Sequence, residues 1–143
     1  MDSDRQAILA LMRAYCDTLD GGDLAGCAAL FENGAWGIDG ALAQGSDAVL
    51  AQLRNVTLYD GKPLTRHLMS NVQIIIVQGE DCATAESCLT VMQCVPPSFP
   101  LQSIFVGTYA DRFSKRDGHW TFSERRIFPD LIGDMSHHRS DMA

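Results

Sequence analysis

His67 opens a run of mainly apolar residues, Thr65-Arg66-His67-Leu68-Met69-Ser70-Asn71-Val72-Gln73-Ile74-Ile75-Ile76-Val77. Histidine titrates near neutrality, so an imidazole at the mouth of an apolar strand is a candidate general base. Such a base works in a dry pocket and needs a partner. A carboxylate bonded to one ring nitrogen fixes the tautomer, turns the other nitrogen toward a substrate and steadies the imidazolium as it forms. Asp17, Asp20 and Asp23 supply carboxylates late in, or just after, an upstream helical stretch. Asp23 suits the N-cap of a following helix. That leaves Asp20 and Asp17, which share one helical face. By spacing alone, Asp20 is equally helix-end punctuation and His67 an ordinary strand-edge histidine.

Other residues divide in the same way. Arg125 is either a strand arginine paired with a carboxylate or a cation that steadies a developing anion. The Asn71 amide can hold a ligand oxygen or a hydrogen bond within its strand. Trp36, Met69, Met92, Phe105 and Tyr109 are candidates for a pocket wall, or for plain core. His137 and His138 are adjacent in a polar tail without Asp, Glu or Cys at ligand spacing, so no metal is assigned. There is no phosphate-cradling glycine loop and no Gly-x-Ser-x-Gly elbow, and no cofactor is expected.

The elements that must position these groups follow from periodicity. Ser3-Asp4-Arg5-Gln6 reads as a capping box, and Ile8, Leu11, Met12, Tyr15 and Leu19 recur at helical spacing, predicting a helix over residues 4–19. Asp20-Gly21-Gly22-Asp23 ends it, and a short helix with Leu24, Cys27, Leu30 and Phe31 inward comes next. Asp39-Gly40 predicts a hairpin turn between Ala35-Trp36-Gly37-Ile38 and Ala41-Leu42. Gly45-Ser46-Asp47 caps a third helix. Four long strands are then expected over residues 65–78, 82–95, 102–116 and 119–128. Pro96-Pro97, Asp117-Gly118 and Pro129 mark their limits, and the tail from Asp130 reads as loose.

The 143 residues fit one domain, with an ordered core over about 4–129 and a tail over 130–143. Hydrophobic content of 46% supports a real core. A net charge of −7 without a basic stripe argues against nucleic acid. No apolar run is long enough for a membrane span, and the acidic N-terminus lacks the basic start of a secretory signal, so a cytoplasmic location is expected. Five cysteines without Cys-x-x-Cys spacing read as buried free thiols. Helices first, then long strands, predict an α+β fold with helices on one face of a curved, mainly antiparallel sheet.

Leu19-Asp20-Gly21-Gly22-Asp23, with Leu30-Phe31-Glu32-Asn33-Gly34-Ala35-Trp36, resembles the opening of SnoaL-like proteins in the nuclear-transport-factor-2-like superfamily. Thr65 to Val72 resembles the His-x-x-x-Asn strand of that family, and Tyr109 to Phe113 with Arg116 to Arg125 its last hairpin. The resemblance spans residues 5–128. It implies a cone-shaped sheet with three N-terminal helices enclosing an apolar pocket. A subgroup similar to scytalone dehydratase and hexachlorocyclohexane dehydrochlorinase abstracts a proton with an Asp–His pair. By motif, these positions are Asp20 and His67, and Arg125 falls on a pocket arginine. Unlike the dehydratase, this chain has Leu19 rather than tyrosine before Asp20, and no second histidine in the strand 82–95.

The expectation is a cofactor-independent lyase or isomerase acting on a small, largely apolar molecule. The alternative is a non-catalytic binding or assembly module, like a ring-hydroxylating dioxygenase small subunit. A homo-oligomer, dimer or trimer, is expected, because an open sheet leaves apolar surface to cover.

Overall fold

The computed structural model describes residues 2–77 and 79–142, with Asp2 described by its backbone alone. Helix α1 spans Asp2–Asp20 and α2 Leu24–Ala29, followed by strands β1 (Ala35–Ile38) and β2 (Ala41–Gln44). Helix α3 covers Ser46–Leu53. The long strands are β3 (Thr65–Ile76), β4 (Cys82–Val95), β5 (Phe99–Arg116) and β6 (His119–Ile132), and a 3-10 turn covers Ser140–Met142. They form one six-stranded sheet in the order β2-β1-β6-β5-β4-β3. The α+β architecture matches expectation, with one refinement. The sheet is mixed, because β1 pairs parallel to β6, with Trp36 opposite Arg125.

The inward face of α1, carrying Ile8, Met12, Tyr15 and Leu19, is buried against the sheet. Strand β4 alternates without a break: Ala83, Ala85, Ser87, Leu89, Val91 and Gln93 face the helices, and the residues between them face outward. Bulges interrupt the ladders between Ser70 and Gln73 in β3 and at Asp130 in β6, opposite Val106 and Gly107. Each inserts a local bend, and together they curve the sheet around the helices.

Several boundaries differ from the reading of the sequence. Ser3 lies inside α1 rather than capping it. Asp23 does cap α2, accepting the Gly26 amide at 2.9 Å. Gln78, at the expected end of β3, lies outside the described residues. Pro129 does not end β6, which runs on to Ile132. Pro129 pairs with Gly107 beside the β6 bulge at Asp130, where a missing ladder donor is tolerated. Cys16 and Cys27 are buried, but Cys82 is exposed and Cys88 and Cys94 are partly so.

The largest correction concerns the tail, which is docked rather than loose. The Thr57 amide donates to the His138 carbonyl at 2.7 Å, and Ser140 donates to Asn55 at 2.9 Å. The Gln93 side chain and the Tyr59 hydroxyl both reach the His137 carbonyl, at 3.0 and 2.7 Å. The His137 ring stacks on Phe99, with centroids 4.0 Å apart. Among the described residues, no helix is long and apolar enough to cross a membrane.

Candidate functional site

Asp20 is the last residue of α1. Gly22 turns the chain there with φ +82°, a region glycine enters without steric cost. A Cβ at Gly22 would lie 1.8 Å from the Gly61 carbonyl oxygen, so glycine alone lets that loop cross the helix end. The loop then delivers Thr65 and His67 beside Asp20. Strand β3 is a sheet edge, and its open side needs hydrogen-bond partners. Asp20 supplies them. Its Oδ2 accepts the His67 backbone N–H at 2.7 Å, and its Oδ1 accepts the Thr65 hydroxyl at 2.8 Å.

The same Oδ1 lies 2.5 Å from His67 Nδ1. An ionised carboxylate only accepts, so Nδ1 carries the ring proton and Nε2 is left as the basic nitrogen. Burial raises the Asp20 pKa, but the hydrogen bonds from the His67 ring, its backbone and Thr65, together with attraction to His67, outweigh burial and hold it below the ordinary value. Both side chains are largely shielded from solvent. Asp17 points away, paired with Arg13 on the exposed face of α1 at 3.3 Å.

His67 lines a cavity of about 40 Å³ between α1, the sheet and the tail. Trp36, Phe105 and Tyr109 line it as well. A Cβ at Gly107 would come within 2.7 Å of the Phe105 ring, so this glycine makes room for that wall. Trp36 Nε1 donates to the Tyr15 hydroxyl at 3.0 Å, which ties β1 to α1 across the cavity.

Other expected site residues lie elsewhere. Met92 is on the outward face of β4, opposite the cavity. Met69 packs at the edge of the core and does not line the cavity. Asn71 is exposed in the β3 bulge with φ 54°, where asparagine suits a left-handed corner. Its amide donates to Cys88 Sγ at 3.7 Å. Arg125 lies beneath the cavity rather than in it. Its guanidinium sits 3.6 Å from the Tyr109 ring centre and 4.4 Å from that of Tyr15, and it is held by Asp111. Burial disfavours its charge, but Asp111 more than compensates, so Arg125 stays cationic.

The sequence reading missed Tyr15, Thr65, Met135, His138, Arg139 and Met142. Tyr15 was read as core spacing and Thr65 as a strand start. The others sit in the tail, and no local pattern marks its return to the cavity mouth. Arg139 is the cation that lines the cavity. It is paired with Asp141 through bonds of 2.9 Å and lies 5.9 Å over the Trp36 ring. Burial lifts the Cys16 thiol to about 11 and the Cys27 thiol to about 12, so neither offers a thiolate near neutrality. Among the described residues, no cluster of three or more His, Cys, Asp or Glu is placed to hold a metal ion.

A helical layer over a curved, open sheet defines a class of fold, and the sequence places the chain within it. The profile of the SnoaL-like domain matches residues 3–126, and the chain belongs to that family. A structure of unknown function with a cystatin-like fold, from Nostoc punctiforme, superposes with a TM-score of 0.78 at 25% identity, over 94% of this chain and 97% of that one. A Mycobacterium tuberculosis protein of unknown function, Rv3472, superposes at 0.75 with 28% identity, over 90% and 73%. A Novosphingobium aromaticivorans protein provisionally assigned as a scytalone dehydratase superposes at 0.75 with 27% identity, over 92% and 87%. A search of curated proteins finds no significant match.

Proposed function

We propose that the chain is a cofactor-independent lyase or isomerase that removes a proton from a small, largely apolar organic molecule. The observation that carries this reading is the 2.5 Å contact between Asp20 Oδ1 and His67 Nδ1, at the wall of an apolar cavity. Asp20 orients the imidazole and offsets the charge that it gains. His67 Nε2 takes the proton from carbon. The electron pair left behind either expels a leaving group on the neighbouring carbon or moves onto a carbonyl oxygen for return at another carbon. Arg125 contributes by holding Tyr15 and Tyr109 from below, not by touching substrate. Likeness to the provisionally assigned dehydratase at 27% identity supports elimination.

The test is deuterium uptake at carbon beside the carbonyl of small cyclic ketones, together with turnover of their β-hydroxy and β-halo derivatives. Wild type exchanges or eliminates above the buffer rate, and His67→Ala falls to it. Equal rates in the two proteins sink His67 as the base. A cavity of about 40 Å³ has room for a few waters only, so a substrate, or the ligand of a non-catalytic binding module, must displace its walls. Ligand uptake with no exchange and no turnover in wild type identifies a binding module.

The chain acts as a homo-oligomer, dimer or trimer, through the outward sheet face. There Leu68, Thr90, Val106 and Leu131 form one cross-strand row, with Leu131 69% exposed.

A further inference from the structure

His138 is 4% exposed and lines the cavity opposite His67, with ring centroids 6.2 Å apart. Its Nδ1 is fully sequestered, without a hydrogen-bond partner among the described residues. Buried polar groups are nearly always satisfied, so an unpartnered imidazole in the wall of a cavity takes its partner from what fills the cavity, a water or the polar group of a ligand that displaces it. The backbone around it is held on several sides. The His138 carbonyl accepts from Thr57, its amide donates to Met135, and Arg139 beside it is clamped by Asp141 and the Gln52 carbonyl. The ring is therefore presented to the cavity by a fixed frame.

We propose that His138 is a catalytic residue, a hydrogen-bond donor to an oxygen of the substrate, placed across the cavity from the base. This rests on the reading of His67 as a base and deepens it by naming the substrate class. The molecule carries a carbonyl or hydroxyl oxygen next to the acidic C–H. In the ketone case the C–H bond breaks, its proton goes to His67 Nε2, and its electron pair becomes the enolate C=C as charge moves to oxygen. The His138 N–H donates to that oxygen, most strongly once the charge has developed. His67 then returns the proton to carbon, or to a departing hydroxide as water leaves.

Protonation states agree with this division. Burial, the facing His67 and the neighbouring Arg139 hold His138 down to about 3, so the ring is neutral and keeps one N–H to donate. A neutral imidazole stabilises an enolate oxygen without giving up its proton.

The experiment compares cyclohexanone with methylenecyclohexane, which differ by O against CH2. Dissociation constants are read by NMR on protein with ¹⁵N-labelled histidine. In wild type, cyclohexanone shifts the His138 ring resonances and methylenecyclohexane does not. In His138→Phe and His138→Leu, the ratio of the two constants moves about tenfold against the ketone, the worth of one hydrogen bond. In His138→Gln, which keeps a donor, most of the preference returns. A ratio unchanged in both apolar variants overturns the proposal, and so does a wild type that binds neither probe at millimolar concentration. Deuterium exchange into cyclohexanone separates the two ideas. Binding that depends on His138 without any exchange removes His67 as base and leaves the oxygen contact standing. Exchange that depends on His67 and is indifferent to His138 does the reverse.

Discussion

Asp111 and Arg125 face each other across β5 and β6, joined by hydrogen bonds from Nε to Oδ1 at 2.8 Å and from Nη2 to Oδ2 at 2.9 Å. Neither side chain is exposed to solvent. Two ions taken out of water depend on each other, and removing one leaves the other charged and unpaired. Asp111→Asn should therefore cost about 3–5 kcal/mol in urea denaturation. A double variant, Asp111→Leu with Arg125→Met, should lose much less, because no charge is stranded. Equal losses in the two would show that packing, rather than charge, sets the cost.

Asp20→Asn tests the orienting carboxylate. An amide facing His67 can donate to Nδ1, which moves the ring proton to Nε2 and removes the basic nitrogen from the cavity. Turnover should fall on the order of a thousandfold. The Asp20 pKa is below its ordinary 3.8, so the folded chain holds that proton less tightly than the unfolded chain does. Its contribution to stability is full above 3.8 and fades as pH falls through the lower folded value. Asp20→Asn should flatten that acid limb.

His138 acts in a different window. Its value falls from 6.5 in the open chain to about 3 in the fold. Between these limits the unfolded chain binds a proton that the folded chain refuses. Stability is thus full above 6.5 and declines toward about 3. The slope should approach about 1.4 kcal/mol per pH unit. His67, Arg139, Asp20 and Asp141 all face this ring, and the first two oppose its charging. His138→Phe should lose the slope above pH 3.8, where the carboxylates with lowered values do not yet contribute. Melting temperatures across that range decide it, and an unchanged slope in the variant would place the proton elsewhere.

Tyr15→Phe removes the acceptor for Trp36 Nε1 and leaves a buried donor unpaired. A loss of about 1–3 kcal/mol is expected, with little change in far-UV circular dichroism. Trp36→Phe with Tyr15→Phe should recover part of it.

Leu68→Glu together with Leu131→Glu places charge at both ends of the outward cross-strand row. Sedimentation equilibrium should then report the monomer mass, with the wild type at two or three times that mass. A wild type that is itself monomeric ends the assembly proposal.

The reading of the sequence went furthest where period and punctuation agree. Asp23 as a cap, Asp39-Gly40 as a hairpin turn and the limits of β4 all follow from local chemistry. It fell short where distant segments decide. Pro129 reads as a stop until Gly107 is placed opposite it and Asp130 beside it is bulged out of the ladder. Asn71 reads as a ligand amide until its φ of 54° shows a bulge corner. Arg125 gives no local sign that Asp111 will neutralise it, since their pairing depends on strand register. His138 was hidden for the plainest reason. A polar tail has no periodicity, and its docking on Thr57, Gln93 and Tyr59 is written in residues far away along the chain.

The parallel pairing of β1 with β6 has a consequence in time. Trp36 sits opposite Arg125, so the wall it forms cannot assemble until the last long strand has joined β5. The antiparallel run β3-β4-β5-β6 grows through neighbours in sequence, whereas β1 must wait for a contact across most of the chain. In refolding, Trp36 fluorescence should lag sheet formation, and the cavity should be the youngest part of the molecule each time it folds.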